Sequence, residues 1–174
     1  MKHLTLILLL FMTCSWVQAP GDDKGYIVKV GDKAPDIELI FPNGTKKQLK
    51  DLKGKVIMLQ YTASWCGVCR KEMPFIEKDI WLKHKDNPDF VLYGIDLKEP
   101  KDVVEKFAKE TGITYPLLLD PEGKAFYSFA AQGAGVTRNV IIDKEGKIVF
   151  LTRLYEPEEF EEMTKVIDNL LKKK

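Results

Sequence analysis

The stretch VIMLQYTASWCGVC, residues 56–69, combines the two features that decide how this chain folds. Its first part, residues 56–61, is an almost continuous apolar run, which predicts a strand buried on both faces of a sheet. Cys66 and Cys69 follow within a few residues. From Arg70 to about Lys83, apolar residues recur at helical spacing, so a helix is predicted directly after the pair. The cysteines are therefore expected where a central strand ends and a helix begins, the position at which active sites of open α/β sheets collect.

The rest of the chain supplies the other elements of an α/β fold. Further strands are predicted at 90–95, 115–119, 139–142 and 147–151, helices at 100–109, 124–131 and 157–171, and an N-terminal hairpin around the turn at 42–44. Alternating strands and helices indicate a parallel central sheet, here with an antiparallel hairpin at its C-terminal end. Pro74 lies inside the predicted helix after the cysteines and should kink it.

Composition limits the classes of protein to which the chain can belong. With 174 residues, 45% hydrophobic and 30% charged, it suits one globular domain with a real core. A net charge of +1 gives no electrostatic reason to expect a nucleic-acid partner. We predict a signal segment at residues 1–21 and a single domain at residues 22–174.

The N-terminal residues have the pattern of a secretory signal. Lys2 and His3 precede an apolar run at residues 4–17, which is shorter than the ~20 residues that comfortably span a bilayer. A charged start, a short apolar core and the small residue Ala19 are typical of a cleaved signal. Two alternatives stay open: a lipid anchor at Cys14, and an uncleaved membrane anchor. All three place the domain in the periplasm or on the extracytoplasmic face of the membrane.

Removal of the signal leaves Cys66 and Cys69 as the two cysteines of the mature chain. A cysteine at a helix N-terminus faces unpaired N–H groups and the positive end of the helix dipole, which favour thiolate over thiol. Pairs with this spacing can have thiol pKa values of about 3.5 to 7.5. We therefore predict a redox-active disulfide, Cys66–Cys69, in which Cys66 attacks a substrate disulfide and Cys69 resolves the mixed disulfide.

Other uses of the pair have less support in the sequence. A zinc site needs about four ligands, and His84, which we interpret as a surface residue between two lysines, is the one other soft ligand after signal removal. An inert structural disulfide would stabilise little, because so short a loop hardly restricts the unfolded chain. We expect neither metal nor cofactor. A binding module that holds partners without turnover remains an alternative.

Residues 61–74 resemble the active-site segment of thioredoxin-fold thiol–disulfide oxidoreductases of the TlpA/ResA type. The features most specific to that group are Trp65 before the first cysteine and Pro74 five residues after the second. Residues 31–36, GDKAPD, resemble a segment that this group shares with the AhpC/TSA-like peroxiredoxins. The resemblance implies a thioredoxin fold: a central mixed sheet flanked by helices, with an N-terminal hairpin and an inserted strand–helix element near residues 88–113.

The same resemblance implies a function and partners. It implies reduction of disulfide-containing protein substrates outside the cytoplasm, in some members those of apocytochrome c during cytochrome c maturation. A membrane electron donor would recharge the dithiol, and we expect a monomer. The reducing direction is implied by the resemblance alone, since an oxidase or isomerase would use the same residues.

Three more residues are candidate supporting groups. Glu99 matches the position of an acidic residue near the dithiol in ResA-type proteins, which implies proton relay or adjustment of the cysteine pKa. It could equally be a carboxylate that favours the start of the next helix. Thr137 stands where the family usually has a cis-proline facing the dithiol. Since a cis bond before a non-proline costs ~2.5–4 kcal/mol, we predict that the Val136–Thr137 bond is trans.

Thr137-Arg138 instead resembles the peroxiredoxins, in which an arginine supports the peroxidatic thiolate. Arg138 could have that role here, or could be a surface arginine on a strand. A thiol peroxidase is accordingly our second hypothesis. The Thr-x-x-Cys pattern of peroxidatic cysteines is missing, because Cys66 comes four positions after Thr62 rather than three.

Overall fold

The computed structural model describes residues 24–172, and its secondary structure follows the alternating pattern of the sequence. The strands are β1 Glu38–Ile40, β2 Lys46–Gln48, β3 Val56–Thr62, β4 Phe90–Leu97, β5 Leu117–Asp120, β6 Arg138–Ile142 and β7 Ile148–Arg153. The helices are α1 Gly67–Ile76, α2 Leu82–His84, α3 Lys101–Thr111, α4 Lys124–Tyr127 and α5 Pro157–Lys172. A 3₁₀ turn covers Leu49–Leu52, and a π-helical turn, Glu77–Trp81, joins α1 to α2.

The strands form one mixed sheet in the order β2-β1-β5-β4-β3-β6-β7. β3 lies parallel to β4 and antiparallel to β6, and all seven of its residues are buried. Both predicted hairpins are present as the antiparallel pairs β1–β2 and β6–β7. The predicted α/β class is therefore confirmed, and the strand and helix expected near residues 88–113 are β4 and α3.

Helix α1 begins at Gly67, three residues before the predicted start. Cys66 is its N-cap residue, and its sulfur accepts the backbone N–H of Cys69, so the cysteines themselves build the first turn. Pro74 lies inside α1 on its exposed side. The regular α1 continues through Pro74 to Ile76, and a π-helical turn begins at Glu77.

Helix α4 is shorter than predicted, because it ends at Tyr127 rather than near residue 131. The residues that follow bond to the N-terminal segment instead. Ile27 N–H donates to the Phe129 carbonyl at 2.9 Å, and Ala131 N–H donates to the Gly25 carbonyl at 3.0 Å. Helical bonding still reaches Ala130, whose N–H donates to the Phe126 carbonyl at 3.0 Å, and the bond from Ala131 to Gly25 then ends the predicted helix.

The interpretation of His84 as a surface residue is wrong. Its side chain is 13% exposed, and Nε2 lies 2.8 Å from Oδ1 of Asp168 on α5. Its ring also packs edge-on against Phe90, with 5.5 Å between the centroids. Because α5 packs over this end of α2, the flanking lysines face solvent while the histidine does not.

The predicted signal segment, including Cys14, lies outside the described residues. Among residues 24–172, no helix combines the length and the apolar character that crossing a bilayer requires.

Candidate active site

Cys66 and Cys69 form a disulfide at the start of α1, with their Cα atoms 5.3 Å apart. The backbone N–H of Cys69 donates to Cys66 Sγ at 3.1 Å. Cys66 is 9% exposed and Cys69 is fully buried. Cys66 is therefore the sulfur that a reaction partner reaches first.

Thr137, at the residue before β6, lies against both sulfurs. Its Oγ1 is 3.0 Å from Cys66 Sγ and 3.0 Å from Cys69 Sγ, and the side chain is buried. Its backbone is fixed on both sides: its N–H donates to the Tyr61 carbonyl at 3.1 Å, and its carbonyl accepts from Leu154 N–H at 2.9 Å. No peptide bond among the described residues is cis, so the prediction of a trans bond before Thr137 is confirmed.

Glu99 holds the loop that precedes the cysteines. Its carboxylate accepts the backbone N–H of Ser64 at 2.5 Å and the hydroxyl of Ser64 at 2.6 Å. Arg70 of α1 fixes the same loop from the other side, because its Nε donates to the Ser64 carbonyl at 2.8 Å. Glu99 is thus connected to the dithiol through Ser64, which lies two residues before Cys66.

Asp96, near the end of β4, is a second carboxyl group in this region that the sequence reading missed. It lies in register with Thr62 of β3 and is fully buried. Neither of its carboxyl oxygens has a hydrogen-bond partner within residues 24–172. Burial, and then the negative charge of Glu99, raise the pKa of Asp96 to about 8. Asp96 is therefore mainly protonated at neutral pH.

Glu72 is a third carboxyl group, one turn after Cys69 on the buried face of α1. Asn139 Nδ2 donates to its Oε1 at 2.7 Å, and Gln60 Nε2 donates to its Oε2 at 3.4 Å. Burial raises the pKa of Glu72 to about 7, although both hydrogen bonds favour the carboxylate. The spacing of three from Cys69 is the signal that could have revealed it, since residues three apart share a helix face.

We expect Glu72 to change protonation state near neutral pH. The carboxyl carbon-13 resonance of Glu72 should titrate with a midpoint about 7, against ~4.3 for an ordinary glutamate. Glu72→Gln should remove that resonance, while Glu158→Gln on the exposed start of α5 should leave it unchanged. A midpoint below about 5 would contradict the burial argument.

Exposed apolar side chains belong to residues next to Cys66 in sequence and to a residue bonded to Thr137. Trp65 is 65% exposed although it directly precedes Cys66, and Val68 is exposed between the cysteines. Leu154 is also exposed, and its backbone is bonded to Thr137. Exposed apolar groups next to a reactive centre are typical of surfaces that contact another protein.

Arg138 is buried, so its interpretation as a surface arginine is wrong. Its Nε donates to the Gly135 carbonyl at 2.9 Å, and its guanidinium carbon lies 4.5 Å from the centroid of the Tyr26 ring. The Tyr26 hydroxyl in turn donates to the Thr152 carbonyl at 2.7 Å. These contacts join the N-terminal segment to β6 and β7.

Comparison with known proteins agrees with this geometry. The family model described as Redoxin matches residues 29–170. The thiol-disulfide oxidoreductase ResA of Geobacillus thermodenitrificans is 30% identical over 148 residues, which cover 85% of this chain and 83% of ResA.

Solved structures support the same assignment. A Bacteroides thetaiotaomicron protein that carries the name protein disulfide isomerase is 60% identical, with a TM-score of 0.82 over 86% of this chain and 94% of its own. The thioredoxin domain of a thiol-disulfide oxidoreductase from Bacteroides vulgatus is 25% identical, with a TM-score of 0.67 over 80% of this chain and 99% of its own. These likenesses confirm the predicted thioredoxin fold.

Proposed function

Because the chain belongs to the Redoxin family and is a dithiol thiol–disulfide oxidoreductase of the TlpA/ResA type, we propose that it reduces disulfide bonds of proteins outside the cytoplasm. One observation carries the proposal. Of the two cysteines at this helix N-terminus, Cys66 keeps 9% of its surface exposed, whereas Cys69, one turn further on, is fully buried. This arrangement suits an attacking and a resolving thiol.

The reaction has two exchange steps. The Cys66 thiolate attacks one sulfur of the substrate disulfide, which forms a mixed disulfide and releases the other substrate sulfur as a thiolate. Cys69 then loses its proton and attacks Cys66 Sγ, which forms the Cys66–Cys69 disulfide and releases the second substrate thiolate. Both substrate thiolates take up protons. The substrate gains two electrons, and the protein dithiol loses two.

Glu72 is suited to the second step. Cys69 is buried, so its proton needs an acceptor inside the protein before the sulfur can attack. Glu72 lies one turn away on the same helix face, and its pKa of about 7 allows it to accept and release a proton at neutral pH. We assign Glu72 as the base that serves Cys69.

The N-terminal sequence supports the proposed location, and the resemblance to the TlpA/ResA type supports the proposed recharging. A signal pattern at residues 1–21 would direct the domain across the membrane, where an electron donor in the membrane would return the disulfide to the dithiol. Cell fractionation tests the location: the protein should appear in the periplasmic or membrane fraction, and its recovery in the cytoplasm would contradict it.

The reduction potential tests the direction of electron flow. We expect a value near ~−270 mV for a reductant, whereas an oxidant would lie near ~−120 mV. The measurement is equilibration of the dithiol with glutathione or dithiothreitol buffers, followed by alkylation and mass analysis. Reduction of insulin disulfides by the wild-type protein, but not by Cys66→Ser, should accompany it. A reduction potential near ~−120 mV would contradict the reductase proposal.

Isomerisation is the second candidate function, favoured by the name of the Bacteroides thetaiotaomicron protein at 60% identity. An isomerase releases the mixed disulfide to another substrate thiol before Cys69 resolves it. Reactivation of scrambled ribonuclease that is faster than insulin reduction would favour this candidate. The reverse order would favour the reductase.

A further inference from the structure

The Thr137 hydroxyl is the group outside the dithiol that contacts both reacting sulfurs in the described structure. Each Sγ lies 3.0 Å from Oγ1, well within hydrogen-bond distance for sulfur. A hydroxyl has one proton to donate, so it serves one sulfur at a time. Its equal distance from the two sulfurs lets it serve either of them without any movement of the backbone.

The backbone at Thr137 is held in a costly conformation. Its φ is 65°, in the left-handed region, which β-branched residues rarely adopt. Hydrogen bonds to Tyr61 of β3 and to Leu154, the residue after β7, fix both of its peptide groups. A non-glycine residue kept in such a conformation at a reactive centre indicates that its side chain has a use there.

We propose that Thr137 is a catalytic hydrogen-bond donor that stabilises whichever sulfur is negatively charged during exchange. Its hydroxyl donates to the Cys66 thiolate before the attack on the substrate. It then turns to the Cys69 thiolate that resolves the mixed disulfide. The proposal deepens the proposed function, because it rests on Cys66 and Cys69 acting in that order.

The hydroxyl accelerates both steps and leaves the electron balance unchanged. No proton is transferred from Thr137, since a threonine hydroxyl is far too weak an acid to protonate a thiolate. A hydrogen bond to a charged group stabilises it more than a hydrogen bond between neutral groups does. In this buried position the bond also replaces water, which cannot reach Cys69.

Three substitutions separate the hydroxyl from the shape of the side chain. Thr137→Val keeps the shape and removes the donor, and Thr137→Ser keeps the donor. Thr137→Gly also removes the donor but suits the positive φ, so it should fold even if valine does not. Thr164→Val on α5 is a matched control, since the Thr164 hydroxyl bonds to its own helix at Phe160.

Stopped-flow reaction of the reduced protein with an excess of the aromatic disulfide dithiobis(nitrobenzoate) resolves the two steps. The first coloured thiolate is released by the attack of Cys66 and the second by the resolution by Cys69. We expect both rates to fall about tenfold in Thr137→Val and Thr137→Gly, equivalent to ~1.4 kcal/mol per step. Thr137→Ser and Thr164→Val should stay within about twofold of the wild-type rates.

The rate of alkylation of Cys66 across a pH series reports the pKa of its thiol. A purely structural role of Thr137 would not change this pKa. In a Cys69→Ala background, Thr137→Val should shift the alkylation profile to higher pH, and Thr137→Ser should not. Valine and glycine variants with wild-type rates, or a serine variant as slow as valine, would overturn the proposal. These outcomes do not depend on insulin reduction or on the potential, so a failure of the reductase proposal is distinguishable from a failure here.

Discussion

Replacing Cys69 by serine should stop turnover, with a loss of at least about a thousandfold, and should leave Cys66 joined to its substrates. The expectation follows from accessibility, because Cys66 can still attack while the buried sulfur that would release the product is gone. Expressed in its own cell, Cys69→Ser should accumulate mixed disulfides. Non-reducing electrophoresis should show them as a ladder that collapses on reduction, and mass spectrometry should place the bond at Cys66.

Cys66→Ser is the matched control for this trap. It should also lose turnover, but it should not collect substrates, because Cys69 is fully buried beneath Thr137 and the helix turn. If Cys66→Ser collects the partners instead, the two roles are reversed. If neither variant traps a protein while insulin reduction by the wild type is intact, protein disulfides are not the substrates.

Replacing Asp96 by asparagine should stabilise the folded protein at pH 8 and flatten its dependence on pH. Asp96 has a pKa of about 8 in the fold and 3.8 as its ordinary value, so the folded state holds this proton more tightly. Stability from this group is fully present below pH 3.8 and is lost as pH rises through 8. At ~1.36 kcal/mol per pH unit, Asp96 alone costs on the order of 3–4 kcal/mol between pH 5 and pH 8.

Guanidinium unfolding of the oxidised protein at pH 5, 6.5 and 8 measures the effect. Asparagine is neutral like the protonated aspartic acid, so Asp96→Asn should gain most at pH 8 and progressively less at pH 6.5 and pH 5. Asp86→Asn, a change at an exposed aspartate, should follow the wild-type curve. An Asp96→Asn curve parallel to that of the wild type would show that Asp96 does not hold its proton in the fold.

Local sequence was enough to predict the main strands, most helices and the position of the dithiol. β3 is recognisable as an apolar run. The two longer helices have local boundary signals: Gly112, with a φ of 70°, follows the last residue of α3, and Pro157 is the first residue of α5. The cysteine pair and its place at a strand–helix junction are likewise contained in one short segment. Most predictions from neighbouring residues agreed with the structure, whereas the end of α4 and the burial of His84 depend on tertiary contacts that neighbouring residues do not show.

The burial and the hydrogen-bond partners of the polar groups could not be predicted in this way, although the spacing from Cys69 places Glu72 on the same helix face. Glu72 is a charged residue on an otherwise ordinary amphipathic helix, and its partners Gln60 and Asn139 come from two different strands. Asp96 depends on burial by the whole sheet, and Arg138 depends on Tyr26, more than a hundred residues earlier. Their state is decided by tertiary packing, which local patterns do not encode.

The distance along the chain between Thr137 and the cysteines has a consequence for the order of events during synthesis. Thr137 meets Cys66 and Cys69 across sequence separations of 71 and 68 residues, and β6 must pair with β3 to bring it there. A chain that emerges from its N-terminus exposes both thiols long before their hydroxyl partner exists. Such non-local pairings close late, after the loop entropy has been overcome. The partly synthesised chain therefore has two thiols without their hydroxyl partner, and the complete redox centre forms only when the C-terminal part of the protein, from β6 onward, folds onto it.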